Sequence, residues 1–134
     1  MVPRGTRSRL TLARNATYSR PRMSSSHPAL RVLFVCTGNT CRSPLAAASL
    51  REALGDEAAR VAMESAGTGA WEGQPATALS IQVAARDGVD VRGHRSRRLT
   101  APMVREADWI VVMERSHLAA VRALGAEEAR TLVL

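Results

Sequence analysis

The run Val32-Leu33-Phe34-Val35-Cys36-Thr37-Gly38-Asn39-Thr40-Cys41-Arg42-Ser43-Pro44-Leu45 decides how the rest of this 134-residue chain is read. Val32 to Val35 is short, apolar and rich in β-branched residues, the pattern of a strand buried on both faces. Ser43 followed by Pro44 reads as the N-cap and first residue of a helix. Between them lie a thiol, a glycine, an asparagine and an arginine. The loop therefore hangs between the carboxyl end of a strand and the positive end of a helix, a junction that binds anions.

Five residues separate Cys36 from Arg42. That spacing lets the loop curl until its amides, the guanidinium and the sulfur face one centre of phosphoryl size. Gly38 and Asn39 are residue types that accept positive φ, as a loop with inward amides requires. Arg42 and the helix amino terminus should favour thiolate over thiol, making Cys36 a nucleophile, and the Ser43 hydroxyl is placed to donate to it. A buried cysteine beside an ordinary helix start is the plainer alternative.

Outward from this run, strands and helices alternate. The first strand, Leu30 to Val35, leads through the loop to a helix from Pro44 to about Leu54, with Ala46, Leu50, Ala53 and Leu54 inward and Gly55 as its stop. Val61 to Glu64 is a second strand, followed by a long loop through Trp71 and Glu72. A helix from Thr77 to Asp87 should turn Leu79, Val83 and Ala84 inward and end at Gly88. A basic connection from Gly93 to Leu99 precedes a helix capped by Thr100 and ending near Ala107. Trp109 to Met113 is the third strand, Ser116 caps a helix to Leu124 closed by Gly125, and Thr131 begins a fourth strand. His117 reads as a surface residue. This alternation predicts right-handed crossovers and an α/β fold: a four-stranded parallel sheet with helices on both faces, in three layers. Ligands then sit outside the carboxyl ends of the strands, where the thiol loop lies.

With 46% apolar and 3% aromatic residues, the chain should form one domain with a core of Ala, Val, Leu and Ile. All 19 basic residues are arginine, and six of them fall in residues 1–30, which hold no acid. The remaining 13 face 12 Asp and Glu, so the charge of +7 belongs to the amino-terminal stretch. No nucleic acid is expected as a partner of the folded body, nor a membrane. Residues 1–29 are Arg- and Ser-rich and read as a disordered extension. An organelle transit segment, a nucleic-acid or membrane-surface arm, and an upstream start with Met23 as initiator are the competing accounts. Two cysteines, without a secretory signal or a long apolar run, point to the cytoplasm. No metal-ligand cluster is visible, and neither metal nor cofactor is expected.

The loop resembles the signature of the low-molecular-weight protein tyrosine phosphatases: a strand, Cys, five residues, Arg, Ser, Pro. Ser65-Ala66-Gly67-Thr68, the segment from Trp71 to Gly73, His94-Arg95-Ser96, and Glu106-Ala107-Asp108 before an apolar strand ending in Met113 follow the family's order. The resemblance covers residues 31–134. It implies the phosphotyrosine protein phosphatase I-like fold, here with the last strand incomplete and the final helix missing, and a phosphatase working through a cysteinyl-phosphate. Cys36 would be the nucleophile and Arg42 the transition-state stabiliser, with Ser43 bonded to the thiolate. Thr37, Gly38, Asn39, Thr40, Cys41 and Arg42 would form the phosphate-binding loop. Trp71 would wall the substrate pocket, or else be a partly exposed loop anchor. His94 would steady Asn39, or be a solvated surface histidine. Cys41 would be a redox partner for Cys36, or a small buried filler. Phosphorylated proteins are the implied substrates, and inorganic phosphate or vanadate the implied ligands.

The family takes its general acid from an Asp-Pro pair beyond the fourth strand, and no Asp-Pro occurs in this sequence. The reading is therefore of a carboxyl-terminally incomplete domain whose competence is reduced. Of the acids, Glu64, Glu72 and Glu114 fall at the loop's edge of the sheet, and Glu72, beside Trp71, is the surrogate candidate; the alternative is a solvated loop glutamate. Thr40 matches the protein arginine phosphatase branch, where tyrosine-specific members carry a bulkier aliphatic, while Trp71 suits an aromatic ring. Phosphotyrosine and phosphoarginine both stand. An arsenate reductase would need further cysteines, and none follows Cys41. A non-catalytic phosphate or phosphoprotein-binding module is the other alternative. Exposed apolar surface near the last strand, and with it poor solubility, is also expected.

Overall fold

The computed structural model describes residues 29–134. The expectations for the extension, Met23 as initiator among them, fall on residues 1–28 and lie outside the described residues.

Among the described residues four parallel strands form one sheet in the order β2-β1-β3-β4: β1 Leu30–Cys36, β2 Val61–Gly67, β3 Trp109–Val112 and β4 Thr131–Val133. β1 lies at the centre, with Cys36 beside Gly67 on one flank and Val35 beside Val112 on the other. A strand flanked on both sides and covered on both faces has little room for a polar side chain, which is why Val32 to Val35 is an unbroken apolar run, with Arg31 confined to the partly exposed start of the strand. Alternation divides it cleanly. Val32 and Phe34 pack with Met63, Trp109 and Val111 beneath helix α1 (Arg42–Leu54), through Ala47 and Leu50. Leu33 and Val35 face the other way, against Val112 and Ile110, Val104 of helix α3 (Ala101–Glu106) and Val121 of helix α4 (Leu118–Ala123). Helix α2 (Ala78–Arg86) packs outside α1 through Ala84, Ala48, Val89 and Val91. No described helix is long and apolar enough to cross a membrane.

Several local expectations are corrected. Helix α1 begins at Arg42, with Cys41 in the cap position, so Ser43 is not the N-cap. Its hydroxyl is thereby released from capping and is buried against Cys36. On the same helix Ala47 and Ala48 are the buried alanines, while Ala53 is exposed. In α2, Leu79 and Val83 are exposed, and Ser80 and Ala84 face inward. The buried Ser80 hydroxyl is satisfied by Thr77, whose own hydroxyl donates to it at 2.9 Å. Glu114, not Ser116, caps the turn Arg115–His117 that leads into α4. Strand β2 runs on to Gly67, which leaves Glu64 in the middle of the strand and paired with Arg31 at 3.4 Å, not at the strand's carboxyl end.

Candidate active site

Three segments converge at the carboxyl edge of the sheet: the loop from Cys36 to Arg42, the turn after β2, and the turn after β3. The second clamps the first through main chain alone, as Thr68 N–H donates to the Cys36 carbonyl and Gly69 N–H to the Thr37 carbonyl, each at 2.9 Å. This contact requires glycine at 67, because a Cβ there would fall 2.4 Å from the Thr37 carbonyl oxygen and 2.9 Å from the Asn39 nitrogen. Nothing in the hydrophobic pattern marks Gly67. Its signal in the sequence is the Gly67-Thr68-Gly69 run directly after a strand.

Asn39 organises the loop. It is the non-glycine residue with positive φ, 56°, among those described, whereas Gly38 does not take that conformation. Its backbone N–H points to the Cys36 sulfur at 3.3 Å. Its side-chain oxygen accepts the Arg97 N–H at 2.7 Å, which fixes the amide so that Nδ2 donates to the hydroxyls of Ser43 (2.8 Å) and Ser65 (2.9 Å). With its oxygen thus engaged as acceptor, Ser43 has its own proton for the Cys36 sulfur, 2.9 Å away. A one-way chain of donors therefore ends on the sulfur, the arrangement that stabilises negative charge there. His94 reaches Asn39 at the main-chain carbonyl, where Nε2 donates at 2.6 Å.

Arg42 stands at the rim, its Nη1 2.8 Å from Glu114 Oε1. Each raises the other's preference for charge: the Glu114 hydrogen bond pushes the arginine up, and the arginine holds the carboxylate below its usual range. Cys36 is buried and Cys41 exposed, both as free thiols, so Cys41 is not a buried filler. Thr40 is half-buried, its carbonyl taken by the Thr77 N–H that opens α2. Trp71 is 81% exposed on a loop held from below by Ser96, which accepts the Gln74 N–H and donates to the Trp71 carbonyl. Glu72 is tied to the same floor, its Oε2 accepting the Arg98 N–H at 2.6 Å.

His117 overturns the surface reading, being only 2% exposed. Its Nδ1 accepts the Glu114 N–H and its Nε2 lies 3.0 Å from the Thr37 hydroxyl. Glu at the cap and His three residues on form a capping box in which Glu stands in the place of the usual Ser or Thr and His in that of the usual Glu or Gln, so the spacing was present in the sequence without its customary signature.

The model of the low molecular weight phosphotyrosine protein phosphatase family matches residues 31–134. The low molecular weight protein-tyrosine-phosphatase Etp of Escherichia coli K12 is 44% identical over 96 residues, 72% of this chain and 62% of that protein. The chain therefore spans less than two thirds of that relative's length. The tyrosine phosphatase Wzb from Escherichia coli K30, solved in complex with sulphate, superimposes with a TM-score of 0.68 at 35% identity, over 77% of this chain and 70% of that one. The YwlE arginine phosphatase from Geobacillus stearothermophilus does so with a TM-score of 0.68 at 34% identity, over 78% and 66%. Fold, loop and matched span agree, and the chain belongs to the low molecular weight phosphotyrosine protein phosphatase family.

Proposed function

We propose that the chain carries the phosphate-transfer centre of a protein phosphatase. The observation that supports this most directly is the buried Cys36 sulfur, which receives the Asn39 N–H and the Ser43 hydroxyl inside a loop closed by Arg42. In this reading Cys36 attacks phosphorus in line, the bond from phosphorus to the leaving oxygen or nitrogen breaks, and a cysteinyl-phosphate forms. Water then cleaves the P–S bond, returning phosphate and thiolate. The guanidinium has five N–H donors, so Arg42 keeps Glu114 while offering others to the equatorial oxygens. Thr37, Gly38, Thr40 and Cys41 supply the remaining wall of the loop, and Cys41 is the redox partner for Cys36.

The leaving group needs a proton. Glu114 is engaged as a carboxylate by the guanidinium of Arg42 and Glu64 by that of Arg31, whereas Glu72, beside Trp71, accepts the main-chain N–H of Arg98 through Oε2, and we assign the step to its carboxyl group. Glu72→Gln should depress turnover of phosphopeptides while sparing activated aryl phosphates, whose leaving groups depart unprotonated. Equal rates on both would remove Glu72 from the reaction.

The wall at Thr40 and the aromatic face of Trp71 support phosphoarginine and phosphotyrosine respectively. Steady-state rates on paired phosphopeptides decide between them. Thr40→Ile should shift kcat/KM toward phosphotyrosine about ten-fold, as loss of one polar contact does. Cys36→Ser should abolish turnover of both; residual hydrolysis would overturn the proposal. Free thiols at 36 and 41 suit a reducing compartment, and we place the protein in the cytoplasm.

A further inference from the structure

Resting on the reading that the loop takes an oxyanion, we propose that His117 is a positioning residue whose neutral ring ties the two ends of that loop together. The contacts close a circuit. Thr37, the first residue after the cysteine, meets Nε2 at 3.0 Å; Nδ1 accepts the Glu114 N–H at 3.3 Å; and Glu114 holds Arg42, the loop's last residue, at 2.8 Å. A backbone N–H can only donate, so Nδ1 is unprotonated and the ring's single proton lies on Nε2. That proton is given to the Thr37 oxygen, and the Thr37 hydroxyl retains its own hydrogen for an acceptor at the mouth of the loop. One tautomer of one buried ring thus sets the direction of every hydrogen bond from Thr37 to Glu114.

A second proton would have to enter on Nδ1, against the Glu114 N–H. Two donors would face each other, the capping box would open, and the resulting imidazolium, already 3.7 Å from Glu114 Oε1, would compete with Arg42 for that carboxylate. The charged groups facing the ring are Glu114 from its own turn and Arg42 from α1. Burial is the largest influence and pushes His117 below its ordinary 6.5; Glu114 acts against it, and Arg42 with it. Because the folded value is depressed, the circuit is complete above 6.5 and is lost as pH falls through the lower folded value.

The test uses sulfate, whose charge is constant across this range, on the full chain carrying Cys36→Ser so that the thiol does not titrate. Affinity measured by calorimetry should hold from pH 8 to 6.5 and fall about ten-fold below the His117 titration, which nitrogen NMR of the imidazole follows independently and should show as the Nε2–H tautomer at neutral pH. His117→Asn, an acceptor that cannot titrate, should flatten this profile. Thr37→Val should weaken sulfate binding at neutral pH about ten-fold, with Thr37→Ser restoring it, and this pair leaves the buried ring in place. If sulfate binds but His117→Asn keeps the same acidic step, or Thr37→Val binds as tightly as the native side chain, the role assigned to His117 is overturned while the phosphatase reading stands. No sulfate binding at any pH would overturn both.

Discussion

Asn39 concentrates more of the site into one side chain than either Cys36 or Arg42 does. Fully buried, it spends every polar atom of its amide on Arg97, Ser43 and Ser65. Its orientation determines that Ser43 donates to sulfur. Asn39→Asp changes almost no volume but replaces a donor with an acceptor, so the Ser43 hydroxyl would turn to the new carboxylate and leave Cys36. Turnover should fall about 100-fold, the value of a hydrogen bond to a charged group, while circular dichroism stays native. Retained activity would show that the direction of the chain does not matter. The conformation of Asn39 and the convergence of Ser43 on Cys36 were legible because both follow from local sequence: a residue tolerant of positive φ, and a hydroxyl one position past the loop. His117 was not, because its partner Thr37 lies 80 positions away and the capping box it forms with Glu114 uses neither of the customary residue types in its customary place.

At the scale of elements, strands were easier to read than helix faces. β1 announces itself through an apolar run that only a central parallel strand tolerates. In α2, apolar bulk pointed to Leu79 and Val83, yet the buried residues are Ser80 and Ala84, with Ile81 packed partly against the same cluster, so the inward face is rotated from the one that bulk suggested. The end of β2 is constrained by size. Gly67→Ala inserts a methyl group 2.4 Å from the Thr37 carbonyl, and backbone cannot yield as a side chain would. Unfolding in urea should show a loss of about 2 kcal/mol, with oxyanion binding weakened as well because the Asn39 amide is displaced. A fully stable variant would mean that the clamp between β2 and the loop has slack.

At the scale of the whole molecule, the parallel direction and the layering follow from strands alternating with helices; the sheet order β2-β1-β3-β4 pairs β1 along both edges, and helices cover both of its faces. The two faces are unequal. Leu33, 1% exposed, is among the largest fully buried side chains and packs with Leu99, Ile110 and four valines, so truncating it opens a cavity in the middle of that cluster. Leu33→Ala should therefore cost about 3 kcal/mol, read from the urea midpoint at unchanged slope. A cost near zero would relocate the core. The scarcity of aromatic residues has an optical consequence. The chain has two tryptophans and one tyrosine; Trp109 is half-buried in the sheet, and Trp71 stands 81% open to solvent beside the loop. Emission should thus divide into a blue component from the sheet and a red, readily quenched component from the rim, so that the arrival of an aromatic phosphoester can be followed by intrinsic fluorescence without any label.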